Sequence, residues 1–201
     1  MKIFSRLLAL SVIAFLVTAC SSSGVERVKY YQLAVPSVIN IGTDDVDTRT
    51  RVVIDEVQLP RFLKQDNMVI QLEGNEIYTA NSHRWAEPLN EAISKLLVSQ
   101  LNTRDSHFRF ERSAGEWNRG APIHLRLEFI EFHPMFGKEV VVSGRLWFYD
   151  GNRDLKVDQS FRFVEPMAGE GYDYSVKALQ KSVDHLSDQI NKAASTIDWS
   201  L

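Results

Sequence analysis

The sequence predicts an α+β domain: a mostly antiparallel sheet with two main helices packed on one face, in a single domain. Three observations predict it. Apolar and polar residues alternate over long stretches between residues 123 and 163, the period of half-buried strands. Residues 84–102 and 172–195 instead repeat apolar residues at helical spacing. No internal repeat, low-complexity block or shift in composition marks a second domain.

The chain opens with Lys2 and Arg6, then an almost unbroken apolar run over residues 7–17, then Val17–Thr18–Ala19–Cys20. A positive start, an apolar middle and a small residue at the end make residues 1–19 a secretory signal. The run is too short to cross a bilayer, which takes roughly 20 residues. The order branched residue, Thr, Ala, Cys resembles the lipobox of bacterial lipoproteins. That resemblance makes Cys20 the first residue of the mature chain, with lipid on its sulfur and its amine. Residues 20–28 are then a lipidated cysteine and a flexible tether. Ser21, standing where Asp would mark inner-membrane retention, resembles an outer-membrane address. One acyl chain holds a membrane marginally, at about 0.8 kcal/mol per buried methylene, whereas two or more hold it firmly. Three other readings stand beside this one: an incidental cysteine behind a signal peptide, a buried structural cysteine, and an uncleaved anchor. Ser21–Ser22–Ser23–Gly24 offers no core for the second.

Residues 29–201 form the folded domain. Residues 29–35 read as a strand ended by Pro36. Residues 37–48 read as a loop, and its Asp44, Asp45 and Asp47 lack the spacing of a calcium-binding loop. Val52, Val53, Ile54 and Val57 make residues 49–59 a second strand, stopped by Pro60. Leu59–Pro60–Arg61–Phe62–Leu63 is an apolar corner. Two short strands follow at 68–72 and 76–79, with Gly74–Asn75 as the turn between them. Residues 84–102 read as a helix, with Asn81 or Ser82 as its cap and Pro88 in its first turn. Leu89, Ile93, Leu96, Leu97 and Leu101 share one face.

Residues 108–111 read as a strand and 113–121 as a turn region. In residues 123–129 the alternation is strict, then it slips, so a β-bulge is expected between Phe129 and Ile130. Residues 134–137 turn the chain. Strands at 139–149 and 155–163, joined at Asp150–Gly151–Asn152, complete an antiparallel meander. After a loop at 165–171 comes the final helix, with Val176, Leu179, Val183, Leu186 and Ile190 on its apolar stripe.

The whole chain has 23 Lys and Arg against 26 Asp and Glu, a net charge of −3. Setting aside Lys2 and Arg6 leaves it more acidic still, so nothing electrostatic draws it to nucleic acid. There is one cysteine, so with Cys20 modified no disulfide is expected and packing must carry stability. No nucleophile elbow or phosphate loop is present. His83, His107, His124, His133 and His185 are scattered without metal-ligand spacing, and no metal or cofactor is expected beyond the covalent lipid. His124 alternates outward on its strand. His185 reads as a packed or solvated surface histidine beside its helix stripe. Glu128 and Glu131 form a candidate carboxylate pair or, more simply, a strand edge facing water. Trp85, Trp117, Trp147 and Trp199 are candidate anchors.

Three stretches together resemble the ABC-transport auxiliary lipoproteins. They are Tyr30–Tyr31–Gln32–Leu33 soon after the lipidated cysteine, Val53–Ile54–Asp55–Glu56–Val57–Gln58–Leu59–Pro60 followed by Phe62–Leu63, and Arg84–Trp85–Ala86–Glu87–Pro88–Leu89. The spacing spans the mature chain. One departure is Asp55–Glu56, where many relatives read Gly–Pro. The resemblance implies an outer-membrane lipoprotein facing the periplasm, with no enzymatic activity. It implies a partner too, an MCE-domain protein anchored in the inner membrane, whose tunnel end this subunit docks, and a symmetric collar of copies fits that role. A lipid-binding shuttle and a periplasmic enzyme are the competing classes. Leu59, Pro60, Phe62, Arg84 and Trp85 are the expected partner-binding residues. That choice rests partly on the resemblance and partly on Arg and Trp being enriched where binding energy concentrates.

Overall fold

The computed structural model describes residues 27–35, 48–104, 107–113, 122–135 and 137–199. The signal segment, Cys20, nearly all of the tether, the acidic residues 44, 45 and 47, and Trp117 lie outside these residues.

One strand organises the sheet. β6 (Ile123–Met135) pairs along one edge with β7 (Glu139–Asp150) in an antiparallel ladder running from Ile123 opposite Asp150 to Met135 opposite Glu139. β7 pairs in turn with β8 (Leu155–Pro166), again antiparallel, which gives the expected meander. The other edge of β6 divides. Its first half pairs in parallel with β2 (Thr50–Gln58), and β2 pairs in parallel with β5 (Phe108–Arg112). Its last residue, Met135, meets Gln71 of β3 (Asn67–Gln71), which leads to β4 (Ile77–Trp85) and then β1 (Lys29–Tyr31). The sheet is therefore forked. The long ladders are antiparallel, and the branches add short parallel contacts.

Helices α1 (Leu89–Thr103) and α2 (Tyr172–Ser195) cover one face. Leu125, Leu127, Val142, Leu146 and Phe148 from the sheet meet Ile93, Leu97, Leu179, Val183 and Ile190 in one core. The stripe on α2 is widened by small residues, Ser175, Ala178, Ser182 and Ser187 among them. Buried serines on a helix need partners. Ser182 donates to the Ala178 carbonyl at 3.2 Å, and Ser187 reaches the Gln100 side chain of α1 at 3.0 Å. Arg104, just past α1, ties the helices together through Asp184 and Asp188, each at 2.8 Å.

The expected bulge is present. The β6–β7 register shifts between Phe129 and Glu131, so Ile130 is the extra residue and stands 57% exposed while Phe132 returns to the core. Gly144, opposite Phe129, is required by close approach: a Cβ there would lie 2.1 Å from the Glu128 carbonyl oxygen.

Three local expectations are corrected. Residues 84–88 are not helical. β4 runs through Trp85, because Arg84 and Trp85 pair with both β1 and the segment entering β3, and the helix starts at Leu89. Pro88 sits at the cap position itself, and a proline disfavours helical backbone in the residue before it. Asn81 and Ser82 consequently lie in a strand and cap nothing. Pro134 lies inside β6 instead of in a turn, opposite Val140, and the reversal is made at Gly137, whose φ is +66°. His124 does leave the helix-covered face but is only 8% exposed, because it is paired with Asp55.

Candidate docking surface

Both predicted stretches arrive at the fork. After Gln58 the chain turns through Leu59 and Pro60 into a short helical turn, Arg61–Leu63. The Leu63 N–H donates to the Pro60 carbonyl at 3.0 Å, and the Gln65 amide donates to the Phe62 carbonyl at 2.8 Å. The second stretch comes in as the end of β4. The Trp85 N–H donates to the Asp66 carbonyl at 2.7 Å, and the Ala86 N–H donates to the Tyr31 carbonyl at 2.7 Å. Asp66 thus stitches the corner at 59–63 to Arg84 and Trp85.

The five predicted contact residues divide by exposure. Leu59 and Trp85 are each 6% exposed and belong to the core. Pro60, Phe62 and Arg84 are half-buried. The Phe62 ring lies 6.0 Å from the ring of His133. Burial pushes the His133 imidazole below its usual pKa, and its Nδ1–H donates to the Pro134 carbonyl at 3.2 Å. The Arg84 Nε is buried without a hydrogen-bond partner among the described residues.

Beside the corner lies a cavity of about 420 Å³. Its floor is residues 54–59 of β2 and beyond. Lys64, Gln65 and Asp66 form one wall; Pro88, Leu89, Asn90, Glu91 and Ser94 of α1 form another, and Arg112 with Ser113 closes a third side. Asp55, Glu56, Asp66 and Glu91 outnumber Lys64 and Arg112 there. Glu91 meets Arg112 at 3.1 Å, and Glu56 accepts from the Gln58 amide at 2.8 Å. Asp55 accepts from His124 Nδ1 at 3.0 Å. Asp55 is an extra residue on β2, for the β2–β6 register shifts between Ile54 and Glu56. The sequence departure at Asp55–Glu56 therefore falls on a second bulge, across which the core-facing positions slip from Val52 and Ile54 to Val57 and Leu59.

The segment that follows the tether is clamped. Tyr31 Oη and His83 Nδ1 are 2.8 Å apart, and His83 stacks on Tyr172 at 3.7 Å. Burial, and then the charge of Asp173, raises the Tyr31 pKa. Leu33 is buried, and Gln180 of α2 donates to the Ala34 carbonyl at 3.2 Å.

The other candidates are not brought together. Glu131 is engaged by Ser143 at 2.6 Å and by Arg162, whereas Glu128 stands opposite Arg145. His185 pairs with Glu165 at 2.8 Å, which Lys181 also reaches at 2.7 Å. The guanidinium groups of Arg126 and Arg145 lie 5.8 Å and 5.6 Å from the centre of the Trp147 ring, and Trp199 donates to the Ala194 carbonyl. Among the described residues, no cluster of three His, Cys, Asp or Glu is placed to hold a metal. Nor, among them, is any helix long and apolar enough to cross a membrane.

A forked sheet under two helices, entered by a clamped strand, also describes known proteins. Residues 31–191 match the family described as the ABC-type transport auxiliary lipoprotein component. The chain belongs to that family. The match runs from the clamped strand to the last turns of α2, so it takes in the fork and both helices. The intermembrane transport lipoprotein PqiC of Escherichia coli (strain K12) is 27% identical over 171 residues, 84% of this chain and 87% of the relative. PqiC of Shigella flexneri matches to the same extent. Among solved structures, an uncharacterized protein superposes with a TM-score of 0.70 at 22% identity, over 84% of this chain and 99% of its own. A protein from Xanthomonas campestris gives 0.65 at 10% identity, over 83% and 97%. These two share the fold. The family is one of transport auxiliary lipoproteins, not of enzymes.

Proposed function

We propose that this protein is an outer-membrane lipoprotein subunit of an intermembrane lipid transport system, docking an MCE-domain partner from the inner membrane. In this reading Cys20, with diacylglycerol on its sulfur and a third acyl chain on its amine, holds the chain to the membrane facing the periplasm. The tether gives it reach, and the folded body acts as the mooring. The observation that carries the reading is the family match over residues 31–191, with its curated relatives named as intermembrane transport lipoproteins.

The site chemistry supports docking over lipid carriage. An acyl chain entering the cavity would desolvate Asp55, Glu56, Asp66 and Glu91, and burying charged groups beside hydrocarbon is costly. Metabolic labelling with a palmitate analogue and membrane fractionation test the anchor. Labelled wild-type protein is expected in the outer membrane, with Cys20→Ala unlabelled and lost from it. Purification from solubilised membranes tests the partner, and recovery of an MCE-domain protein is the expected result. An unlabelled wild-type chain, or a preparation that never contains such a partner, contradicts the proposal.

A further inference from the structure

The cavity at the fork is floored by a strand edge. On one side β2 stays paired with β6 as far as Gln58 opposite Glu128. On the other it pairs with β5 only as far as Ile54 opposite Arg112, and the last bond of that ladder runs from the Ser113 N–H to the Ile54 carbonyl at 3.0 Å. Beyond it, among the described residues, no strand pairs with residues 55–58 on that side, and this is the stretch lining the cavity. An unpaired strand edge is a template for another strand, and adding an extended peptide to such an edge is a recurrent mode of recognition. Residues 55–58 offer about 13 Å of it at about 3.3 Å per residue.

The surrounding charge selects the occupant. Asp55 and Glu56 lie on the edge itself and Asp66 and Glu91 flank it; His124 meets Asp55 and Arg112 meets Glu91, and Lys64 is the other cation of the lining. A second copy placed edge to edge would set Asp55 and Glu56 against the same acids, and like charges directly opposite destabilise a strand pair. An acidic or plain apolar strand gains nothing there. We infer that the open edge of β2 accepts an extended, lysine- or arginine-bearing segment of a partner protein as an added strand, its basic side chains meeting Glu56 and Asp66. The inference rests on the docking reading and names how the partner is held.

The test uses the full chain in detergent and a hexapeptide alternating lysine and valine, with an alternating glutamate and valine peptide as control. Hydrogen exchange is expected to show outward-facing amides of residues 55–58 open in the free chain and slowed at least tenfold by the basic peptide alone. Glu56→Lys, at an exposed position, is expected to weaken peptide binding at least tenfold without moving the melting temperature. Equal binding of both peptides, or protection elsewhere, overturns the inference. So does an edge already protected in the free chain, whether by its own residues 114–121 or, if protection rises with protein concentration, by a second copy. In cells, a photocross-linker at position 56 is expected to capture the partner. Capture from position 60 but not 56 overturns the added strand and leaves the docking reading intact. Capture from neither removes both.

Discussion

The two edges of β6 meet different neighbours. Towards β7 and β8 the ladders are continuous apart from the bulge at Ile130 and a register shift at Lys156 of β8, and Val140, Val142, Leu146 and Phe148 are fully buried under α2. Towards β2 and β3 the sheet splits and β2 carries an extra residue at Asp55. A charged cavity sits beside that split. The difference teaches a division of labour. On the meander side β6 and β7 join long ladders and bury their apolar face, so stability resides there, while β8 leaves its outer edge unpaired among the described residues. The fork leaves residues 55–58 of β2 unpaired on one side among the described residues, beside an acidic cavity, which is what a surface needs to take a partner.

Mutations separate the halves, and the largest effect belongs to the meander. Phe129 packs edge-on to Phe132 at 5.7 Å and to Phe161 at 5.3 Å. Phe129→Ala is expected to cost about 3–5 kcal/mol in urea unfolding, the usual range for emptying a packed aromatic site. His124→Ala reaches the boundary between the halves. It leaves the half-buried Asp55 without its donor and is expected to cost about 1–2 kcal/mol in the same measurement.

A smaller effect follows from pH. The folded His133 pKa lies below its ordinary value near 6.5, because burial disfavours the charged ring. Glu131 opposes that shift and Arg162 adds to it. Below about pH 6.5 the unfolded chain therefore binds the proton more readily than the folded one. Stability is fully present above that pH and is lost as pH falls through the folded value. His133→Leu is expected to narrow the difference in melting temperature between about pH 7.5 and about pH 5.5. The smallest effect belongs to the fork: Lys64→Ala is expected to stay within about 0.5 kcal/mol of wild type. A loss there as large as that of Phe129→Ala would erase the comparison.

The meander was legible because each of its strands buries one face, so alternation and its slip at Phe129 report backbone directly. The stripes of α1 and α2 were legible for the same reason, and Leu89, Ile93, Leu96, Leu97 and Leu101 are all buried as expected. The start of α1 was misread because Arg84 and Trp85 continue toward Leu89 at near-helical spacing. Their real constraint is pairing with Tyr30, Tyr31 and Asn67, which are distant in sequence. Parallel contacts such as β2 with β6 leave no turn signal between their strands, so the fork could not be seen in one dimension. Trp85 carries both a core role and a place in the predicted contact set, and composition does not separate the two. His124 read as an outward residue and Asp55 only as a departure from the family pattern, and their pairing across β2 and β6 joins residues distant in sequence.

The central claim is that a lipid-held body presents its fork to a partner spanning from the other membrane. Photocross-linkers placed in intact cells at Pro60, at Phe62 and, for contrast, at Lys177 on the exposed side of α2 test it most directly, with captured proteins identified by mass spectrometry. The account predicts an MCE-domain protein of the inner membrane captured from Pro60 and Phe62 and not from Lys177. Capture of that partner only from Lys177, or from none of the three, would contradict it.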